Sequence, residues 1–200
     1  MLTLFNYPSS RNGWKIRLLL QHLDLPYRTE TVNILENGDK RAEYRLINPT
    51  GKVPAIQLSD GRTLAESNAI LFYLAENSAY LPADPFDRAK VLQWMSFEQE
   101  QVESTVGTLR YWTHIGELSR RSPELVEDKR KAAQRALGVL DHNFAQRPFV
   151  TGDNYTIADM AMFAYSTCAE DVGVRLDLFP HFRAWNTRVE AQPGFFAPPS

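Results

Sequence analysis

The stretch Tyr7-Pro8-Ser9-Ser10-Arg11-Asn12-Gly13-Trp14-Lys15-Ile16 sets two adjacent hydroxyls and a carboxamide between a short apolar run and the start of a helical pattern. At such a point the first-turn N–H groups have no intrahelical partners, and the helix dipole favours negative charge. Serine and asparagine there can cap the helix, which they do constantly, or present donors to a bound anion. Redox proteins place a reactive cysteine pair at a position of this kind. Here the only cysteine is Cys168, remote in sequence and set among Met160, Met162, Phe163 and Tyr165, the surroundings of a core residue. Chemistry at the Ser9–Asn12 segment therefore needs a nucleophile brought from outside.

The elements that must position this segment alternate over the first eighty residues. Leu2 to Tyr7 is β-prone and Pro8-Ser9-Ser10 ends it. A helix follows with Trp14, Ile16, Leu19, Leu20 and Leu23 apolar, stopped at Asp24-Leu25-Pro26. Arg28 to Ile34 alternates with period two, a short helix is expected around Arg41 to Leu46, and Asn48-Pro49-Thr50-Gly51 is a turn. Val53 to Leu58 and Thr63-Leu64 flank Asp60-Gly61, a hairpin signal, and Glu66 to Glu76 is amphipathic. The order βαβ, hairpin, helix predicts an α/β thioredoxin-like domain over 1–78. In that frame an imported tripeptide thiol is the natural nucleophile.

Tyr80-Leu81-Pro82-Ala83-Asp84-Pro85 reads as a linker within 79–86, and 87–200 carries helical patterns only, predicting an all-α C-terminal domain. Asp84 and Pro85 start one helix, expected to run to about Gly116 with Leu92, Met95, Gln99, Val102, Val106 and Leu109 near one face. Ser122-Pro123 opens another, with Leu125, Ala132, Ala136, Leu140 and Phe144 at helical spacing. Thr156 and Asp159 form a capping-box pattern, stapled by Tyr155 and Met160, and Pro180-His181-Phe182 opens a last helix. The net charge of −2, with acids and bases interspersed, excludes the footprint of a nucleic-acid binder or a polybasic membrane anchor. No apolar run approaches the roughly 20 residues of a membrane span, the N-terminus has no signal-peptide pattern, and one cysteine fits a reducing, cytoplasmic setting. His22, His114, His142 and His181 have no metal-ligand spacing, so no metal is expected.

Four segments in order resemble the glutathione transferase superfamily along essentially the whole chain. Ser9-Ser10-Arg11-Asn12-Gly13-Trp14-Lys15-Ile16-Arg17 resembles the active-site segment of its serine-type and zeta- or theta-like classes, and is closer still to nu-type bacterial enzymes. Lys52-Val53-Pro54-Ala55-Ile56 resembles the loop carrying the family's cis-proline, Leu64-Ala65-Glu66-Ser67-Asn68-Ala69-Ile70 its Glu-Ser motif, and Thr156-Ile157-Ala158-Asp159 its C-terminal capping motif. The resemblance implies a glutathione-dependent transferase, with glutathione as cosubstrate and an electrophile or a disulfide as second substrate. It also implies a homodimer and a role in detoxification. Ser10 falls where the family keeps its catalytic hydroxyl, with Ser9 and Tyr7 as rivals, and Asn12 assists. Val53 would pair its backbone with the cysteinyl part of glutathione beside a cis Pro54. Glu66 and Ser67 would hold the γ-glutamyl end, remote from sulfur, and Lys52, or Lys40, the glycyl carboxylate. Arg110 and Trp112, with Phe97, Tyr111 and His114, fall on the helix that in this family faces the second substrate; core or dimer packing accounts for them equally. A non-catalytic ligand-binding or assembly module on the same fold is the alternative function.

Overall fold

The computed structural model describes residues 1–34 and 39–199. These divide into two compact units, one of 1–78 with 193–200 and one of 79–192.

In the first unit β1 (Leu2–Asn6) pairs in parallel with β2 (Tyr27–Thr31), the crossover between them being α1 (Arg11–His22). After α2 (Asp39–Ile47), β3 (Ala55–Gln57) and β4 (Thr63–Ala65) add antiparallel, giving the order β2-β1-β3-β4, and α3 (Ser67–Leu74) follows. The Asp60-Gly61 hairpin forms as its turn chemistry predicts: Gly61 takes a φ of 87°, and the Asp60 carboxylate accepts from the Arg62 N–H at 3.1 Å. The alternation of β2 does not produce a half-buried face, because β2 is an edge strand and residues 28–31 are all exposed.

α1 is buried on most of its circumference, with Trp14, Ile16, Leu18 and Leu19 fully so. Part of that cover was not expected. Composition assigns 193–200 to the helical domain, yet this tail packs on the first unit. Phe195 and Phe196 each meet the Trp14 ring edge-on at 6.1 Å, and the Trp14 Nε1–H donates to the Phe196 carbonyl at 3.0 Å. Gln21 Nε2 donates to the Gly194 carbonyl at 2.9 Å, and the Arg17 guanidinium lies over the Phe196 ring at 5.6 Å. The pull is the indole, a large apolar surface with one donor that needs an acceptor.

In the second unit, residues read as linker are fastened in place. Leu81 is buried, and the Tyr80 carbonyl accepts the Ile157 N–H at 3.0 Å. The expected single helix to Gly116 is interrupted. α4 (Pro85–Phe97) passes into a π-helical stretch, Glu98–Gly107, before α5 (Thr108–His114). Hydroxyls compete for carbonyls four residues back: Thr105 Oγ1 donates to Gln101 O at 2.6 Å, Thr108 Oγ1 to Ser104 O at 2.8 Å, and Ser104 to Glu100 O. Val91, Met95, Val102, Val106 and Leu109 are inside, whereas Leu92, before the π-helical stretch, and Gln99, within it, are exposed. α6 (Pro123–Phe144) buries Val126 and Ala133 rather than Leu125 and Ala132, one residue off the expected stripe, and agrees from Ala136 onward.

α7 (Ile157–Ser166) and α8 (Pro180–Glu190) complete the unit around Asp159. The expected capping box is present, and the fully buried Asp159 carboxylate accepts from four donors. They are the Thr156 N–H at 3.0 Å, the Thr156 hydroxyl at 3.2 Å, the Val150 N–H at 2.9 Å and the Trp185 Nε1–H at 2.9 Å. Burial pushes its carboxyl up to about 6, against these donors, which favour the anion.

Two outcomes follow from these contacts. The folded value of Asp159 lies above the roughly 3.9 of an unfolded aspartate, so the native state takes up its proton first. The contribution of this group to unfolding free energy therefore falls as pH rises from about 4 to about 6 and is level above. Denaturant titrations of wild type and the non-titrating Asp159→Asn should show the gap between them narrowing across that window; a widening gap would reverse the assignment. The second outcome concerns Gly13. A Cβ there would stand 1.7 Å from Asn6 Oδ1 and 2.5 Å from its Cγ. Glycine to alanine in a helix ordinarily stabilises by about 0.5–1 kcal/mol, but Gly13→Ala should destabilise, and adding Asn6→Ala should restore most of the loss in thermal melts.

Candidate functional site

Sheet register assembles the candidate site. Phe5 pairs with Ala55, and Ala55 pairs with Ala65. The next-to-last residue of β1, the first of β3 and the last of β4 thus lie at one end of the sheet. From that end emerge Tyr7–Ser10, Lys52–Pro54 and Glu66-Ser67, three segments far apart in sequence.

Ser10 is the N-cap of α1, and its Oγ accepts the Gly13 N–H at 3.0 Å. Capping and donation are compatible. A lone pair serves Gly13, and accepting that bond leaves the hydroxyl able to donate its proton. Ser9 and Tyr7 are half-buried in the turn before it, and the Tyr7 carbonyl accepts the Ser10 N–H at 2.9 Å. Asn12, in the first turn of α1, accepts the Ser67 hydroxyl on Oδ1 at 3.1 Å. Ser67 opens α3, so the N-termini of α1 and α3 meet through these two side chains. One turn further along, Lys15, fully buried, donates from Nζ to Asn68 Oδ1 at 2.9 Å.

The Val53–Pro54 peptide is cis and Pro54 is buried. The residue before it is pinned by contacts that the sequence alone does not disclose. The Lys52 carbonyl accepts the Tyr44 hydroxyl at 2.6 Å and Asn48 Nδ2 at 2.7 Å, while the Lys52 side chain is exposed. Burial pushes the Tyr44 phenol up to about 12, so it stays a donor. Asn48 is legible as a turn residue, and its Oδ1 does accept from the Thr50 N–H at 3.2 Å. Its second bond, across the turn to Lys52, has no signature. The Lys40 side chain lies outside the described residues.

Glu66 is the N-cap of α3, exposed, with φ 67° and ψ 111°. A non-glycine residue held there costs about 1–3 kcal/mol, and such residues cluster at functional sites.

Arg110 and Trp112 belong to α5 in the second unit. The Trp112 ring is flanked by the Arg121 guanidinium at 4.8 Å and Lys129 Nζ at 5.6 Å, a surface cation–π cluster. Arg110 opposes the upward push that burial, Glu103 and Glu98 exert on the Tyr165 phenol. Among the described residues, no cluster of His, Cys, Asp or Glu could hold a metal ion, and no helix is long and apolar enough to cross a membrane.

The first unit, with its four-stranded mixed sheet and helices, is of thioredoxin-like type, and an all-helical unit follows it. Residues 9–77 match the glutathione S-transferase N-terminal domain and residues 100–193 the glutathione S-transferase C-terminal domain. The disulfide-bond oxidoreductase YfcG of Escherichia coli is 30% identical over 96% of this chain and 92% of its own. A glutathione S-transferase structure from Pseudomonas fluorescens superposes with a TM-score of 0.92 at 35% identity, covering 98% of both chains. A glutathione transferase from Burkholderia graminis, solved with two glutathione molecules bound per subunit, gives a TM-score of 0.83 at 27% identity over 96% of this chain and 85% of that one. This chain belongs to the glutathione S-transferase family.

The strain at Glu66 has a measurable consequence. Glu66→Gly should raise the unfolding free energy by about 1 kcal/mol, since glycine adopts positive φ freely. If the carboxylate serves an ammonium, as the resemblance implies, the same change should weaken glutathione binding. Calorimetric melts and glutathione titration check the two effects separately.

Proposed function

We propose that this protein binds glutathione in its first unit and activates the thiol for attack on an electrophilic carbon or a disulfide. The observation that carries the reading is the α1 N-terminus. A hydroxyl, Ser10, and a carboxamide, Asn12, sit where the helix dipole already favours an anion, beside the start of α3. A thiol with a pKa of about 8.5 is only a few per cent ionised at neutral pH, and the thiolate reacts. Lowering that value by about two units needs about 2.7 kcal/mol, within reach of one charge-assisted hydrogen bond plus a helix terminus. Glu66 and the first-turn N–H groups of α3 would take the γ-glutamyl ammonium and carboxylate. The Val53 backbone would pair with the cysteinyl part, and Lys52 would face the glycyl carboxylate.

With a carbon electrophile, the thiolate forms a C–S bond while the leaving group departs with its electron pair or, in addition, an adjacent carbon takes up a proton. With a disulfide, the thiolate bonds to one sulfur, the S–S bond breaks, and the departing thiolate is protonated. A second glutathione then resolves the mixed disulfide, leaving oxidised glutathione. The name of the Escherichia coli relative supports including the disulfide reaction.

Ser10→Ala tests the reading. It should raise the pKa of bound glutathione by about one to two units, seen in thiolate ultraviolet absorbance across a pH series. The rate at neutral pH should fall by about ten- to a hundred-fold and partly recover in alkali. Loss of the cap to Gly13 should separately cost about 1 kcal/mol of stability. If the shift appears in Tyr7→Phe or Ser9→Ala instead, the hydroxyl has been misassigned. A wild-type protein that does not bind millimolar glutathione would favour the non-catalytic module.

A further inference from the structure

Over residues 42–47 of α2, Tyr44 alone is buried. Packing beside Phe5, whose ring lies 5.7 Å away, asks only for the aromatic ring. The hydroxyl is an extra polar group that burial penalises unless it is bonded. It donates to the Lys52 carbonyl at 2.6 Å, and Asn48 Nδ2 donates to the same oxygen at 2.7 Å. Two donors, one from α2 and one from the turn after it, use both lone pairs of this carbonyl and fix its direction.

A peptide unit is planar, and in a trans unit the C=O and the N–H point opposite ways. The Lys52–Val53 bond is trans. Holding the Lys52 oxygen toward Tyr44 and Asn48 therefore aims the Val53 N–H away from them. Val53 is half-buried, and among the described residues no group accepts that N–H. Asn48 also shapes the turn itself, its Oδ1 accepting from the Thr50 N–H at 3.2 Å and the Thr50 hydroxyl at 3.0 Å. Tyr44 reaches the loop from a separate element, so its hydroxyl can be removed with the turn left in place.

We propose that Tyr44 is a positioning residue for glutathione binding: its hydroxyl, by holding the Lys52 carbonyl, aims the Val53 N–H at the cysteinyl carbonyl of the ligand. The inference rests on the glutathione reading above and extends it to a side chain on the opposite side of that peptide.

The test compares three thiols by titration calorimetry. Glutathione is the first. γ-Glutamylcysteine lacks the glycine but keeps the cysteinyl carbonyl oxygen in a terminal carboxylate. γ-Glutamylcysteamine lacks both the glycine and that carbonyl. Tyr44→Phe should raise the dissociation constants of the first two by about three- to tenfold, the loss of one hydrogen bond, and leave that of the third unchanged. The pKa of the bound glutathione thiol should keep its wild-type value, because Ser10 lies on another segment. In the wild-type protein glutathione should slow solvent exchange of the Val53 amide proton and γ-glutamylcysteamine should not, a measurement that holds even if the variant fails to fold. An equal loss for all three thiols makes Tyr44 a packing residue and overturns the proposal, as does glutathione that binds without protecting the Val53 amide. A loss confined to glutathione acts through the glycyl carboxylate and overturns it too. Wild-type protein that binds none of the thiols overturns the glutathione reading itself. Wild-type binding with an unaffected Tyr44→Phe protein overturns this inference alone.

Discussion

The Asn6 side chain occupies the space where residue 13 would carry a Cβ. That contact fixes how closely the first turn of α1 can approach the end of β1. The Asn6 backbone is held in the sheet, its carbonyl accepting the Val32 N–H at 2.8 Å, and its side chain is buried. Everything at the candidate site refers back to it. Ser10 can cap Gly13 only if the turn after β1 is short. Asn12 meets Ser67 only if α1 starts at this height above the sheet end. Lys15 reaches Asn68 one turn further along the same line.

Around that anchor, polar groups are arranged so that each segment is held by something other than its own chain neighbours. The Lys52 carbonyl is gripped from α2 and from the following turn by Tyr44 and Asn48. The backbone at Glu66 departs from ordinary dihedrals, which persists only where surrounding contacts over-determine it. β4 on one side and the buried first turn of α3 on the other supply those contacts. The result is a set of N–H and side-chain donors converging at one sheet end, with little freedom to relax toward water.

Much of this was legible because it is local. The Asp60-Gly61 turn, the Thr156–Asp159 box and the starts at Asp84, Ser122 and Pro180 are encoded within three or four residues, and the structure contains all of them. What escaped was non-local or depended on phase. The apolar pattern does not announce the π-helical stretch, and Leu92, before it, and Gln99, within it, lie outside the buried face, while Met95, Val102, Val106 and Leu109 keep their expected places. Ser67 and Asn12 have no sequence relation that announces their contact. The flanking of Trp112 by Arg121 and Lys129 likewise has no signature in the sequence. The resemblance singles out these segments; only the fold shows which side chains within them touch.

The return of residues 193–200 to α1 makes the first unit discontinuous, with 114 residues of helical chain inserted into it. During synthesis on the ribosome the sheet, α1 and α3 are all available early, but the Phe196 carbonyl that accepts from the Trp14 indole and the two phenyl rings of Phe195 and Phe196 emerge last. The whole helical insert is therefore synthesised before these last contacts of α1 can form. The chain of the unit begun first is thus the last to be fully synthesised.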